Sequence, residues 1–138
     1  KFAVAIHVKK GESMGKEEIS LGKQGYIETI HELCERAGGA GTKAIAERLG
    51  VRMPSVTQAL RRLSDLGLVN YSPRREVTLT GKGRSLATDL QRRHEILEDF
   101  FKRIGCAEGK AARIACLVEH DIDMDVALKI QRIAARIE

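Results

Sequence analysis

The chain has 138 residues, enough for one ordinary domain or two small lobes that fold without disulfide staples. It is 43% hydrophobic and 31% charged, with no apolar run near the ~20 residues that span a bilayer, which excludes a membrane partner and places the chain in the cytoplasm. The net charge of +5 is concentrated, because residues 42–85 carry nine Lys and Arg against three acidic residues, whereas the flanking stretches nearly balance.

At the N-terminus, Phe2, Val4, Ile6 and Val8 alternate as in a strand, and Met14 would serve as a native start with an extension before it. Helical spacing begins near Leu21, where Ile27, Ile30, Leu33, Cys34 and Ala37 line one face, and Gly38 and Gly39 end the helix. Residues 42–63 read as a helix-turn-helix. Ile45, Ala46 and Leu49 supply the inner face of its first helix, Gly50 the bend and Val51 the apolar corner. Val56, Leu60 and Leu63 line its second helix, and Pro54 fits the first turn, where a missing N–H costs nothing. The outer face then presents Arg52, Ser55, Thr57, Gln58, Arg61 and Arg62, side chains suited to phosphates and base edges.

Beyond this segment, Leu68, Val69 and Tyr71 precede the turn SPRRE, and Val77 and Leu79 return, giving a two-stranded wing with Arg74 and Arg75 at its tip. Thr80 caps a long helix from about Lys82 to Gly105, with Leu86, Leu90, Leu97, Phe100, Phe101 and Ile104 as its apolar positions. A helix over about 110–120 follows, then an acidic break and a last helix over 124–137. The apolar stripe of that last helix is wide enough to require cover from the long helix, a second chain, or both.

Two groups of side chains carry ligand chemistry. Cys116, Glu119 and His120 stand at i, i+3 and i+4, on one helix face, and His94 and Glu98 lie one turn apart on the long helix. Thiolate, carboxylate and imidazole are the usual protein ligands of transition metals. The bland alternative is a surface pair at a helix end with Cys116 as a small core residue. Cys34 and Cys106 are expected to pack, and His7 and His31, without sequence partners, to be structural. Three cysteines at irregular spacing form no disulfide framework. No H-E-x-x-H, glycine-rich phosphate loop or nucleophile with a paired base is present, which argues against an enzyme.

The stretches GYIETIHEL, IAERLGVRMPSVTQALRRLSDLGLV, LTGKGRSLA, RRHEILEDFF and CLVEH occur in this order between about Gly22 and Ile137. In this the chain resembles the diphtheria toxin repressor and manganese transport regulator family of metal-activated repressors. The resemblance implies a mainly α fold: an N-terminal extension (1–20), a winged helix-turn-helix DNA-binding domain (21–85), and a helical dimerisation and metal-binding domain (86–138). It implies metal ligation by His94, Glu119 and His120, with Cys116 at a position held by Cys in iron-type members and Glu in manganese-type ones. Glu98 matches an ancillary iron-type ligand, and Glu28 a first-helix glutamate of the manganese type. Gly25 stands where the family has a Met or Asp ligand, and Ala112 where iron-type members have a further His.

The expected function is a homodimeric repressor that binds a palindromic duplex operator. A divalent metal fixes the spacing of its recognition helices, with Fe(II) favoured over Mn(II) because a Cys116 thiolate suits softer ions. Arg52, Pro54, Ser55, Thr57, Gln58, Arg61, Arg74 and Arg75 would contact DNA. The alternative is a winged-helix regulator that answers a non-metal ligand or binds DNA constitutively.

Overall fold

The computed structural model describes residues 16–137; the strand-like residues 1–10, His7 and Met14 lie outside the described residues. Six helices and a two-stranded sheet occur among the described residues: α1 Lys16–Ala37, α2 Thr42–Leu49, α3 Met53–Asp65, β1 Val69–Asn70, β2 Thr78–Leu79, α4 Gly81–Arg103, α5 Glu108–Val118 and α6 Met124–Ala134. They divide into two compact units, one ending at Ala87 and the other beginning at Thr88. The chain is mainly helical, as expected, and no described helix is long and apolar enough to cross a membrane.

In the first unit, Ile27 and Ile30 of α1, Ile45 of α2, Val56 and Leu60 of α3, and Val77 before β2 are fully buried in one apolar cluster. Burying each such side chain contributes about 1.5–3 kcal/mol, which is why these positions outweigh the weak helix propensity of their β-branched residues. Gly50 ends α2 with φ +66°, and its N–H donates to the Ala46 carbonyl. That left-handed conformation suits glycine and makes the bend between the two helices. Val51, expected to fill the corner, is instead 38% exposed, because the turn that Gly50 starts carries it past the inner faces. Leu49 is half-buried against the cluster. A salt bridge of 2.6 Å joins Arg48 of α2 to Glu32 of α1, which Arg36 also contacts.

The wing is short. Val69 pairs with Leu79 and Asn70 with Thr78 in an antiparallel register, and Arg74 at the tip adopts φ +65°. A third backbone segment joins this sheet: Ala40 and Val77 exchange both N–H to carbonyl bonds, at 3.0 and 2.8 Å. Nothing in the alternation of residues indicated that pairing, since Ala40 sits alone after the two glycines. Thr80 performs the capping read from the sequence. Its hydroxyl accepts from the Gly83 N–H at 3.1 Å and donates to the Gly67 carbonyl at 2.6 Å.

In the second unit, Leu90, Ile96 and Leu97 of α4 are buried, as are Ala111 and Ala115 of α5 and Ala127 and Ala134 of α6. Asp123, part of the acidic break, is the N-cap of α6 and accepts from the Val126 N–H at 2.9 Å. Three helices differ in extent from the periodicity. α1 starts at Lys16 rather than near Leu21, α5 runs from Glu108 to Val118 rather than to His120, and α6 stops at Ala134. Of the stripe expected on the last helix, Ala127 and Ala134 are buried, Leu128, Ile130 and Ile137 are half-buried and Ile133 is 58% exposed; Ile104, Leu117 and Val126, outside that stripe, are exposed by between 39% and 69%.

At Gly83 the backbone of α4 lies close against that of Leu68, since a Cβ there would overlap the Leu68 carbonyl, whereas one on Gly81 would meet open space. Gly83→Ala is therefore expected to cost about 2 kcal/mol by overpacking. Gly81→Ala should stay within about 0.5 kcal/mol of the parent. Chemical denaturation of the two variants compares them directly.

Candidate metal centre

His94, Cys116 and Glu119 all belong to the second unit. His94 projects from the middle of α4 and is 6% exposed, while Glu119 follows the last residue of α5 and is fully buried. Glu119 keeps helical dihedrals of −57° and −27° as the C-cap of α5, so its side chain stays in register with Cys116 one turn earlier. The His94 imidazole meets a group on each edge. Its Nδ1 lies 2.7 Å from Glu119 Oε2 and 3.6 Å from Cys116 Sγ, and its Nε2 lies 3.1 Å from Glu98 Oε2. Ligand atoms of His94, Cys116 and Glu119 all fall within 4.8 Å of one another.

The electrostatics of this arrangement favour an extra positive charge. Burial alone would push the His94 imidazolium pKa down, but hydrogen bonds to Cys116 and Glu119, with the charge of Glu119, outweigh it and raise the pKa to about 10. Without an ion, a doubly protonated ring donates to a carboxylate on either side. Lys102, 2.8 Å from Glu98 Oε1, holds the Glu98 carboxyl below its usual range. His120 behaves oppositely: burial pushes its pKa down, favouring the neutral ring that can bind metal. Its Nε2 is 3.4 Å from Glu119 Oε1, within ion-pair range. Among the described residues that oxygen, fully buried, has no hydrogen-bond partner.

The donor set fits a divalent transition metal. It combines imidazole, carboxylate and a half-buried thiol around one buried point, together with a carboxylate oxygen lacking a hydrogen-bond donor. Of the residues singled out from the sequence, His94, Cys116 and Glu119 come together, Glu98 flanks His94, and His120 stands on the far side of Glu119. Glu28 belongs to α1 in the first unit and is half-buried there. His31 has a partner after all, Glu35 at 3.2 Å, and Cys34 is half-buried at the core of the first unit. Cys106 is half-buried and, like the other two cysteines, free.

Sequence reading missed Arg93. Although it sits in a run of two arginines and is charged, it is only 9% exposed, and its Nη1 donates to the carbonyls of Glu119 at 3.0 Å and Ile122 at 2.7 Å. Only the adjacency to His94 pointed to it, and no periodicity separates such an arginine from a solvated one.

In the first unit, Arg52, Pro54, Ser55, Gln58, Arg61 and Arg62 of the helix-turn-helix are exposed, as are Arg74 and Arg75 at the wing. Thr57 is half-buried, and its hydroxyl donates to the Met53 carbonyl at 3.2 Å, so its proton is engaged within α3. Met53, 44% exposed at the start of α3, is an apolar member of this face that the inventory of polar groups passed over.

Comparison with known proteins bears on both units. Residues 19–77 match the iron dependent repressor N-terminal DNA binding domain, and residues 80–138 match the iron dependent repressor metal binding and dimerisation domain. The transcriptional regulator MntR of Escherichia coli is 38% identical over 97 residues, 70% of this chain and 63% of that protein. The HTH-type transcriptional regulator MntR of Shouchella clausii is 36% identical over 105 residues, 76% of this chain and 73% of that one. A solved structure described as a manganese-dependent transcriptional repressor in complex with manganese is 30% identical, with a TM-score of 0.71 over 82% of this chain and 52% of that one. The IdeR structure from T. acidophilum, 23% identical with a TM-score of 0.69, shares the fold. The chain thus spans 63% of the length of the Escherichia coli relative and about half of that manganese-bound repressor. With a DNA-binding domain matched before the long helix and a metal-binding and dimerisation domain matched from Thr80 onward, the chain belongs to the diphtheria toxin repressor and manganese transport regulator family.

Proposed function

We propose that the chain is a homodimeric, metal-activated repressor that binds a palindromic duplex operator. The observation that carries this reading is the convergence of His94, Cys116 and Glu119 on one buried point, where Glu119 Oε1 makes no hydrogen bond. His94, Glu98, Cys116, Glu119 and His120 are the ligands it names, and Glu28 is added from the family resemblance. A bound divalent ion supplies the positive charge that the His94 proton otherwise provides. Relatives named as manganese regulators support Mn(II) as that ion. The second reading, Fe(II), rests on the thiol of Cys116.

On the DNA side, α3 begins with no side-chain cap and no acidic residue in its first turn, so its N–H groups and partial positive charge are open to a phosphate. Gln58 and Ser55 face base edges, Arg52 and Pro54 stand at the helix entrance, and Arg61, Arg74 and Arg75 hold the backbone. A second copy would cover Ile104, Leu117, Val126 and Ile133, an apolar exposure of the kind that marks an interface. Two such heads would address major grooves about 34 Å apart. Metal then acts by population shift, binding the operator-competent spacing more tightly, and operator must tighten metal to the same degree.

Gel shifts with chelator, then with Mn(II) or Fe(II) under anaerobic conditions, test the switch. Operator affinity should rise at least about fivefold with metal, as expected for a coupling of about 1–3 kcal/mol, and Glu119→Gln should abolish the increment. Binding that ignores chelation would instead favour the constitutive or non-metal regulator. Gln58→Ala is expected to relax sequence preference at fixed metal. Arg74→Ala should weaken all duplexes alike and reduce the salt slope by about one, read from affinities at several salt concentrations.

Proton and metal compete for His94, which gives a pH dependence of defined sign. The raised pKa means the imidazolium stabilises the metal-free fold fully below about pH 6.5 and loses that contribution as pH rises through about 10. Metal-free melting temperature should therefore fall with pH across that window, while the increment added by Mn(II) grows and protons are released on binding. Thermal melts with and without Mn(II), repeated on His94→Gln, check both trends.

A further inference from the structure

We propose that Arg93 is a positioning residue that fixes Glu119 against His94 before any ion arrives, and thereby sets the ion affinity of the centre. This rests on the metal-binding reading given above.

Glu119 is gripped from two directions by consecutive residues of α4. Its carboxylate faces His94 Nδ1 at 2.7 Å, and its backbone carbonyl accepts from Arg93 Nη1 at 3.0 Å. Neighbouring residues on a helix point about 100° apart, so two of them rarely serve one partner residue. The length of the arginine allows it, and the same Nη1 continues to the Ile122 carbonyl at 2.7 Å.

Those carbonyls lie where support is scarce. α5 ends at Val118, and the last four carbonyls of a helix lack partners within it. The backbone tightens at once, with the Asp121 N–H bonding back to the Val118 carbonyl at 3.0 Å. A helix end of this kind frays unless something ties it. Here the tie is a guanidinium, whose charge favours the negative end of a helix dipole and whose planar fork is already organised for several acceptors. The tie reaches the very residue whose carboxylate belongs to the proposed centre. Partners of this sort, which orient ligands without touching the ion, typically change metal affinity 10–100-fold when removed.

The test uses the full chain as wild type, Arg93→Met and Arg93→Lys. Co(II) and Mn(II) are titrated into each, with the thiolate-to-cobalt absorption of Cys116 as a spectroscopic readout. Amide hydrogen exchange of residues 119–122 is followed in the metal-free proteins. Arg93→Met should weaken both ions at least about tenfold, diminish the cobalt band and speed exchange at 119–122, with metal-free binding to random duplex unchanged. Arg93→Lys, which keeps the cation at the helix end but not the fork, should recover the melting temperature while remaining several-fold weaker for both ions. If Arg93→Met loses its helical signal, Arg93→Lys decides alone.

Variants that bind both ions within about twofold of wild type, with a lower melting temperature as their sole defect, would assign Arg93 a purely structural role and overturn the proposal. Wild-type protein that takes up neither ion would remove the metal reading itself. That result is distinct, because it appears before any substitution is made.

Discussion

The constraint on which the second unit depends is the burial of the Glu119 carboxylate. It has no solvent contact, and taking a carboxylate out of water costs several kcal/mol unless charge and hydrogen bonds compensate. His94 supplies the compensation to Oε2, at the expense of holding a proton far above the ordinary range of imidazole. Arg93 holds the main chain of the same residue. Among the described residues Oε1 has no hydrogen-bond partner, although His120 Nε2 lies 3.4 Å away, and burial drives that ring toward its neutral form. One side of the carboxylate is answered by a proton and the other is not. A divalent cation would answer both, which is the physical basis of the proposed metal site.

The two units divide the electrostatic labour. The positive excess of the sequence falls almost entirely in residues 42–85, on α2, α3, the wing and the start of α4. From residue 86 onward, nine basic and ten acidic residues nearly cancel, so no broad positive field from this stretch repels a cation. The polyanion-facing charge is thus kept off the segment that is proposed to bind metal. Within that segment, Lys102, 39% exposed, pairs with Oε1 of Glu98, while Oε2 faces His94.

Much of this was legible in the residues. The helix-turn-helix was readable because Ile45, Ala46, Val56, Leu60 and Leu63 recur at helical spacing around a glycine, and all five are buried. Thr80 was readable as a cap because threonine followed by a helical run has few other uses. The convergence on His94 was suggested by i, i+3, i+4 spacing, which fixes which side chains share a face but not whether two faces meet. Other features were illegible for physical reasons. The pairing of Ala40 with Val77 is made by backbone groups, which carry no side-chain signature. The exposure of Val51 follows from the direction the chain takes after φ +66° at Gly50, a tertiary outcome. Helix ends were displaced by up to five residues at α1, because apolar periodicity reports the buried face and is silent about a polar first turn such as Lys16 and Glu17. Arg93 was invisible because an arginine next to another arginine looks solvated until its carbonyl partners are known.

The placement of Cys116 argues about ion choice through geometry more than through affinity. Its sulfur approaches His94 at Nδ1, the same nitrogen that faces Glu119, so one imidazole position serves two candidate anionic ligands. Replacing the proton on that nitrogen with an ion would bring a soft and a hard donor to a common point, neither an all-oxygen cage nor a thiolate-rich one. Raw affinity rises along the first transition row whatever the mixture, so a site of this composition binds later metals tightly in isolation and cannot choose manganese or iron by strength alone. Discrimination must then come from how many ligands are held in place and how far apart. In this chain that spacing follows from how α5 packs on α4, where Ala111 and Ala115 are buried and Arg93 bonds the Glu119 carbonyl.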